Sequence, residues 1–204
     1  MSPRSRLGAA VAWVVGPLTY LTLEGIAAAS FPHYSYAQNF ISDLGMSVSP
    51  RASLMNIAFC VQGTLFLVGA LLCVRAVEIP RARLFLVLAA TNMAGNLLIA
   101  VFHSGPSGMA WLHATGAVLA IVGGNVAILA GSSLIGGWHR TASVALGAFG
   151  LFSFACFVIA LKNQTPPAVW ERCSVYSITA WELLTAARVL SRRPNLSRAR
   201  ARRA

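Results

Sequence analysis

The 204-residue chain is 57% hydrophobic and only 10% charged, with a mean hydropathy of +0.69. Water-soluble domains carry roughly a quarter charged residues, so this composition excludes a soluble domain of this size. Sixteen Lys and Arg against five Asp and Glu would suit a nucleic-acid binder only on a soluble surface, and here the charges sit in short breaks between oily stretches. No nucleic-acid partner is expected.

A helix needs about 20 predominantly apolar residues to cross the hydrocarbon core. The first such stretch runs from Leu7 to Phe31 behind Arg4 and Arg6. It is longer than the apolar core of a signal peptide and lacks a convincing small-residue cleavage pattern, so it reads as a first span. Further stretches cover 54–74, 84–102, 111–134, 141–161 and 172–190. The fold class expected is therefore all-α, a polytopic bundle of six transmembrane helices, with residues 1–190 as a single domain and 191–204 as a basic tail. The connections are a long loop (32–53), a short basic loop (75–83), a Gly/Ser/Pro turn (103–110), a turn with His139 and Arg140 (135–140) and a Pro-containing loop (162–171). Cys60, Cys73, Cys156 and Cys173 fall within or at the ends of apolar stretches without paired spacing, which favours neither a disulfide framework nor a zinc motif.

Lys and Arg near span ends stay cytoplasmic. With the N-terminus inside, thirteen such residues face the cytoplasm and three (Arg51, Lys162 and Arg172) face out. The expectation is a multi-pass protein of the cell's inner (plasma) membrane with both termini cytoplasmic. Trp111, Trp170, Tyr34 and Tyr36 fall at the outer boundary and Trp138 at the inner one, as interfacial anchors do. The tail after Ser191 carries six arginines and no acid, suited to anionic lipid headgroups at about 1 kcal/mol per charge. Membrane lipids are the partners expected, and the oligomeric state is not set by the sequence.

Ionisable or amide groups inside a span are costly and mark candidate sites. Asn92, Asn96 and His103 share one helical stripe, and His113 shares a face with Gly116, Ala120 and Gly124, a small-residue pattern that brings helices close. Glu171 and Glu182 are eleven residues apart on one face. Glu24 shares its face with Tyr20 and Pro17, which should bend the helix. The orientation gathers Glu24, His103, His113, Glu171, Arg172 and Tyr176 at the outer side, with Asn56 at the same level, and the long loop adds His33, Asn39, Asp43 and Arg51. An outward-opening polar pocket roofed by the 32–53 loop is expected. The same residues also admit structural roles: Asn92, Asn96 and Asn125 as inter-helix hydrogen bonds, Asp43 with Arg51 and Glu24 or Glu171 with Arg172 as charge-neutralising pairs, and His33 as an interfacial residue.

The run Asn39-Phe40-Ile41-Ser42-Asp43-Leu44-Gly45, then Ser49-Pro50-Arg51 and Leu54-Met55-Asn56, resembles the prokaryotic membrane proteins grouped as domain of unknown function 998. Leu112-His113 with Gly116-Ala117, Gly124-Asn125, and Trp170-Glu171-Arg172 with Val175-Tyr176 and Trp181 are similar to that family's later motifs, in the same order. The resemblance implies six spans and no established activity. The Ile41-Ser42-Asp43-x-Gly45 pattern is also similar to one in the eukaryotic Frag1/DRAM/Sfk1 membrane proteins, whose members include a factor in lipid remodelling, and this implies a link to lipids.

Three functions compete at this point. In an intramembrane enzyme acting on a lipid or lipid-linked anionic substrate at the outer leaflet, His113 or His103 would be the base and Asp43 or Glu24 would orient it. Arg51 and Arg172 would hold a phosphate, with Asn56, Asn92, Asn96, Glu171 and Tyr176 also binding substrate. The alternatives are a non-catalytic lipid-binding or scaffold protein and a small transporter. No GxSxG, HExxH or HxxxH pattern is present, and no cofactor or metal is called for; the close-packed face beside His113 leaves little room for a haem between His103 and His113.

Overall fold

The computed structural model describes residues 3–75, 80–103 and 109–191. The arginines expected to anchor the tail at 192–204 lie outside the described residues. Six helices follow in chain order: α1 (Pro3–Ser30), α2 (Ala52–Val74), α3 (Ala82–Val101), α4 (Ala110–Ala130), α5 (Trp138–Lys162) and α6 (Ala168–Ser191), with a short 3-10 helix at Ser42–Gly45 in the α1–α2 loop. Among the described residues there is no strand.

Five of these helices, α1 to α5, are long and apolar enough to cross a membrane. The shortest, α3, has 20 residues and is therefore about 30 Å long. α6 falls outside that set because Glu171, Arg172, Glu182 and Arg188 lie along it. Polarity is arranged inside out. Leu7, Val11, Val15 and Leu18 on α1, Val87 and Val101 on α3 and Phe152 and Ile159 on α5 are exposed, while Glu24, Gln62, Asn92, Asn125 and Glu182 are buried. Lipid, unlike water, leaves polar groups to find partners within the protein, and the chain is a membrane protein on this arrangement.

The helices form a closed ring in which each packs on the next and α6 returns to α1. The start of α1 and the end of α6 meet at one end of the bundle, here termed the terminal end, where Arg6 Nη2 donates to the Val189 carbonyl at 2.6 Å. The α1–α2 loop lies at the other, here termed the loop end. The terminal end is filled by aromatic rings: Trp181 meets Trp13, Phe66 and Phe85 edge-on at 5.3, 6.0 and 6.2 Å. A second core at the loop end includes Tyr20, Ile41, Leu44, Met55, Phe59 and Ile99.

Two helix starts differ from the sequence expectation for local reasons. α6 starts at Ala168, immediately after Pro166 and Pro167. Proline is pre-organised for the start of a helix and has no N–H to leave unpaired there, and the Pro167 carbonyl accepts from Trp170 and Glu171 N–H at 3.0 and 3.1 Å. Glu171 and Arg172 are thus helical and buried rather than at a span edge. α5 starts at Trp138 behind Gly136 and Gly137, whose φ of +79° and +61° only glycine adopts freely. That draws His139 out of the expected turn and into the bundle, where its Nε2 lies 3.0 Å from Thr185 Oγ1. α4 ends at Ala130, short of the expected 134.

Candidate functional site

At the loop end, α6 enters the bundle with Glu171 and Arg172 side by side, and each takes a different partner. Arg172 Nε stands 3.9 Å from Glu24 Oε1 on α1, and Tyr176 Oη, one turn further along α6, donates to the same Glu24 oxygen at 2.7 Å. The guanidinium also donates from Nη1 to the Asn39 and Ala168 carbonyls at 2.7 and 3.3 Å and from Nη2 to Tyr34 Oη. Tyr36 stacks on it with 4.8 Å from ring centre to Cζ. Tyr34 Oη passes a hydrogen bond on to the Phe40 carbonyl at 2.7 Å. Glu171 Oε2 instead accepts the Ile41 N–H at 2.7 Å. Two adjacent side chains of α6 therefore pin both ends of the Asn39–Ile41 segment.

Asp43 Oδ2 accepts the Phe40 N–H at 2.9 Å, three residues back along the loop. Burial raises its carboxyl above the usual carboxylate range, with the Phe40 N–H and then the charges of Arg172 and His113 pulling it back. Burial likewise pushes the Tyr34 and Tyr36 hydroxyls up.

The two histidines separate. Asn56 Nδ2 donates to His103 Nε2 at 2.9 Å and to the Gly45 carbonyl at 3.1 Å, so His103 helps fix the loop to the start of α2. His113, in the first turn of α4, places Nδ1 2.8 Å from the Phe102 carbonyl. A carbonyl can only accept, so Nδ1 carries the proton and Nε2 of the neutral ring keeps its lone pair.

His113 lines a cavity of about 330 Å³, within the range of about 300–1,000 Å³ common to ligand pockets. Its origin lies in how α4 and α5 part. Near the terminal end they touch closely: a Cβ at Gly147 would stand 2.9 Å from the Asn125 carbonyl, and one at Gly150 would overlap Asn125 Oδ1 and Ser177 Oγ. One turn beyond, Phe154, Phe157, Val158 and Leu161 of α5 and Ala114, Ala117, Val118 and Ile121 of α4 face the cavity instead. Ala114, Val118 and Leu161 are also exposed on the outer surface of the bundle, so the cavity reaches that surface between the two helices. Phe40, Ile41 and Ser42 contribute to its wall from the loop, Glu171 from α6, and Asn92, Asn96 and Gln62 from α3 and α2. α3 and α4 cannot widen it, because Gly95 is pressed against Gly116 and Ala120: a Cβ there would lie 2.6 Å from the Gly116 carbonyl oxygen.

Of the residues singled out from the sequence, the cavity brings together His113, Asn92, Asn96 and Glu171. Glu24, Arg172, Tyr176 and Asp43 form the neighbouring loop-anchoring network. Arg51 is exposed at the start of α2 and is not among the cavity's lining residues; its expected partner Asp43 bonds the loop backbone instead. The wall is largely apolar where a polar pocket was expected, because most polar groups face each other. Asn92 Nδ2 donates to the Ala120 carbonyl at 2.7 Å, and Asn125 Nδ2 donates to the Ile121 and Ser174 carbonyls at 2.9 and 3.0 Å. Ser42 and Gln62 line the cavity as well, and for Gln62 the signal in the sequence is an amide in the middle of the apolar stretch 54–74. Among the described residues, no three of His, Cys, Asp or Glu converge as a metal site requires.

The family model described as a protein of unknown function (DUF998) matches residues 14–188. The chain belongs to the DUF998 family. The match runs from α1 almost to the end of α6, so both the loop-anchoring network and the cavity belong to the part shared with the DUF998 family. No curated protein and no solved structure matches the chain.

Proposed function

We propose that this DUF998 protein spans the plasma membrane six times with both termini cytoplasmic. In that orientation the loop end is at the outer leaflet, and the cavity takes an apolar chain of a lipid or lipid-linked substrate sideways from that leaflet. The observation that carries this reading is the parting of α4 and α5 beyond Gly150, which joins an apolar cavity to the lipid-facing surface at Val118 and Leu161. The basic residues at the other end support the orientation. α6 reads as the sixth span because Glu171, Arg172 and Glu182 turn inward, the first two onto the loop backbone and Glu24, and its 24 residues amount to about 36 Å of helix.

The polar end of such a substrate would meet His113, Ser42 and Glu171. His113 has the arrangement of a general base: one nitrogen fixed by a carbonyl and the other free to take a proton. Both terminal nitrogens of Arg172 are bonded to protein groups, so for an anionic headgroup the cations left at this end among the described residues are Arg51 and Lys162, both exposed and neither lining the cavity. This takes Arg172 out of the two-cation phosphate clamp expected from the sequence.

Lipid analysis of the purified full-length protein by native mass spectrometry tests the reading. One amphiphile should copurify well above its share of the membrane, be lost in V118W and persist in H113A. An unenriched lipid profile, or an identical one in V118W, would exclude the cavity as the binding site.

A further inference from the structure

One wall residue of the cavity leads to an acid that the reading above does not use. Gln62 on α2 lines the cavity and donates from Nε2 to Glu182 Oε2 on α6. Glu182 is 0% exposed and Gln62 4%. The second oxygen of each, Glu182 Oε1 and Gln62 Oε1, has no hydrogen-bond partner. Both approach Gly16 of α1, where a Cβ would lie 3.2 Å from Gln62 Oε1 and 3.8 Å from Glu182 Oε1. Two acceptor oxygens thus border one gap with no donor between them.

Nothing nearby compensates a negative charge. The single ion pair among the described residues is Arg172 with Glu24, both at the loop end. The titratable groups on the elements around Glu182 include Tyr20, one turn from Gly16 on α1, Cys60 and Cys73 on α2, and Cys156 and His139 on α5, the last packed against Trp181 and bonded to Thr185. α3 and α4 present the amides Asn92, Asn96 and Asn125 in the bundle interior, and His113 of α4 faces the same cavity as Gln62. On α6 itself the nearest are Tyr176, which is bonded to Glu24, and Arg188, which lies over the Trp138 ring at 5.6 Å. An unpaired buried carboxylate is strongly disfavoured and takes up a proton instead.

We propose that Glu182 is an intramembrane proton-binding site, carrying a proton on Oε1 towards the gap it shares with Gln62 Oε1 and Gly16. The added O–H supplies the one donor that the two oxygens lack. The carboxyl exchanges this proton, as COOH to COO⁻ and H⁺, with water that reaches Gln62 through the cavity; no other bond changes. The site would couple whatever fills the cavity to the protonation of the bundle's centre.

Infrared spectroscopy of the full-length protein in phosphatidylcholine vesicles at pH 7 tests this. The carbonyl band of a protonated carboxylic acid should be present, shift on transfer to D₂O and disappear in E182Q. Mapping of wild-type protein treated with dicyclohexylcarbodiimide, an apolar reagent that adds to protonated carboxyls, assigns the group without relying on a variant and should place an adduct on Glu182. No acid band in the wild type, or a band retained in a folded E182Q with no adduct on Glu182, overturns the site. A band that does not shift in D₂O overturns the exchange through the cavity.

Discussion

Arg172 Nε lies 3.9 Å from Glu24 Oε1, joining α6 to α1, and the same guanidinium holds the Asn39 carbonyl and the Tyr34 hydroxyl of the loop between α1 and α2. One cation therefore ties two helices and a loop together. Breaking a buried pair by removing one partner costs about 3–5 kcal/mol, so R172A should lower the thermal midpoint by several degrees and open the 31–41 segment to proteolysis. R172K should fall between, because an ammonium cannot fork between the loop and Glu24 as a guanidinium does. A variant R172A that melts with the wild type and resists protease equally would refute the anchoring role.

Gly150 and Gly25 make a matched pair. A Cβ at Gly150 would overlap Asn125 and Ser177, whereas one at Gly25 meets nothing within 4 Å. Overpacking costs about 1–3 kcal/mol, and alanine is favoured over glycine in a helix by about 1 kcal/mol. G150A should therefore destabilise and G25A be neutral or stabilising in thermal melts. The reverse order would contradict the α4–α5 contact that shapes the cavity.

Asp43 gives a pH signature. Burial raises its carboxyl in the folded protein, so folding favours the protonated form: its contribution is present in full below the ordinary carboxylate range and is lost as pH rises through the folded value. D43N can still accept the Phe40 N–H and does not titrate. The midpoint difference, D43N minus wild type, should grow as pH is raised from 4 to 7; a flat or falling difference would reject the buried environment.

Asn125 satisfies both ends of its amide, donating to Ile121 and Ser174 and accepting from Ser177 Oγ at 2.7 Å. Inter-helix side-chain bonds in membranes are worth about 0.6 kcal/mol on average and up to about 1.7. N125A removes all three and should cost up to about 2 kcal/mol without changing the lipid that copurifies. Unchanged stability would show that this network carries no energy.

If His113 is the base, H113A should remove any turnover of the copurifying lipid while the lipid itself remains bound, with a stability loss of about 1 kcal/mol for the bond to Phe102. Turnover kept in H113A would leave the cavity as a binding site only.

The family and the helical membrane class were legible because both reside in local pattern: oily runs of span length, and motifs such as Ile41-Ser42-Asp43 and Trp170-Glu171-Arg172 in order. The gathering of costly groups at one end was also legible, since helical spacing and alternation of spans place Glu24, His113 and Glu171 at one level. Which of them touch was not. Glu24 and Glu171 were equal candidates for Arg172, and only the approach of α1 to α6 gives Arg172 to Glu24 and Glu171 to the Ile41 N–H.

By itself, then, the sequence determined that this is an apolar helical bundle with its arginines sorted to the ends and its costly side chains turned inward, because hydropathy and the helical period are properties of neighbouring residues. Only the tertiary structure decided that Arg51 stays outside, that Arg172 is taken up by the loop, and that α4 and α5 meet at Gly150 and part above it to open a cavity. Those outcomes depend on how far apart two helix axes lie at a given height. Residues distant in the chain set that distance jointly, through contacts such as Gly95 on Ala120 and Gly150 on Asn125.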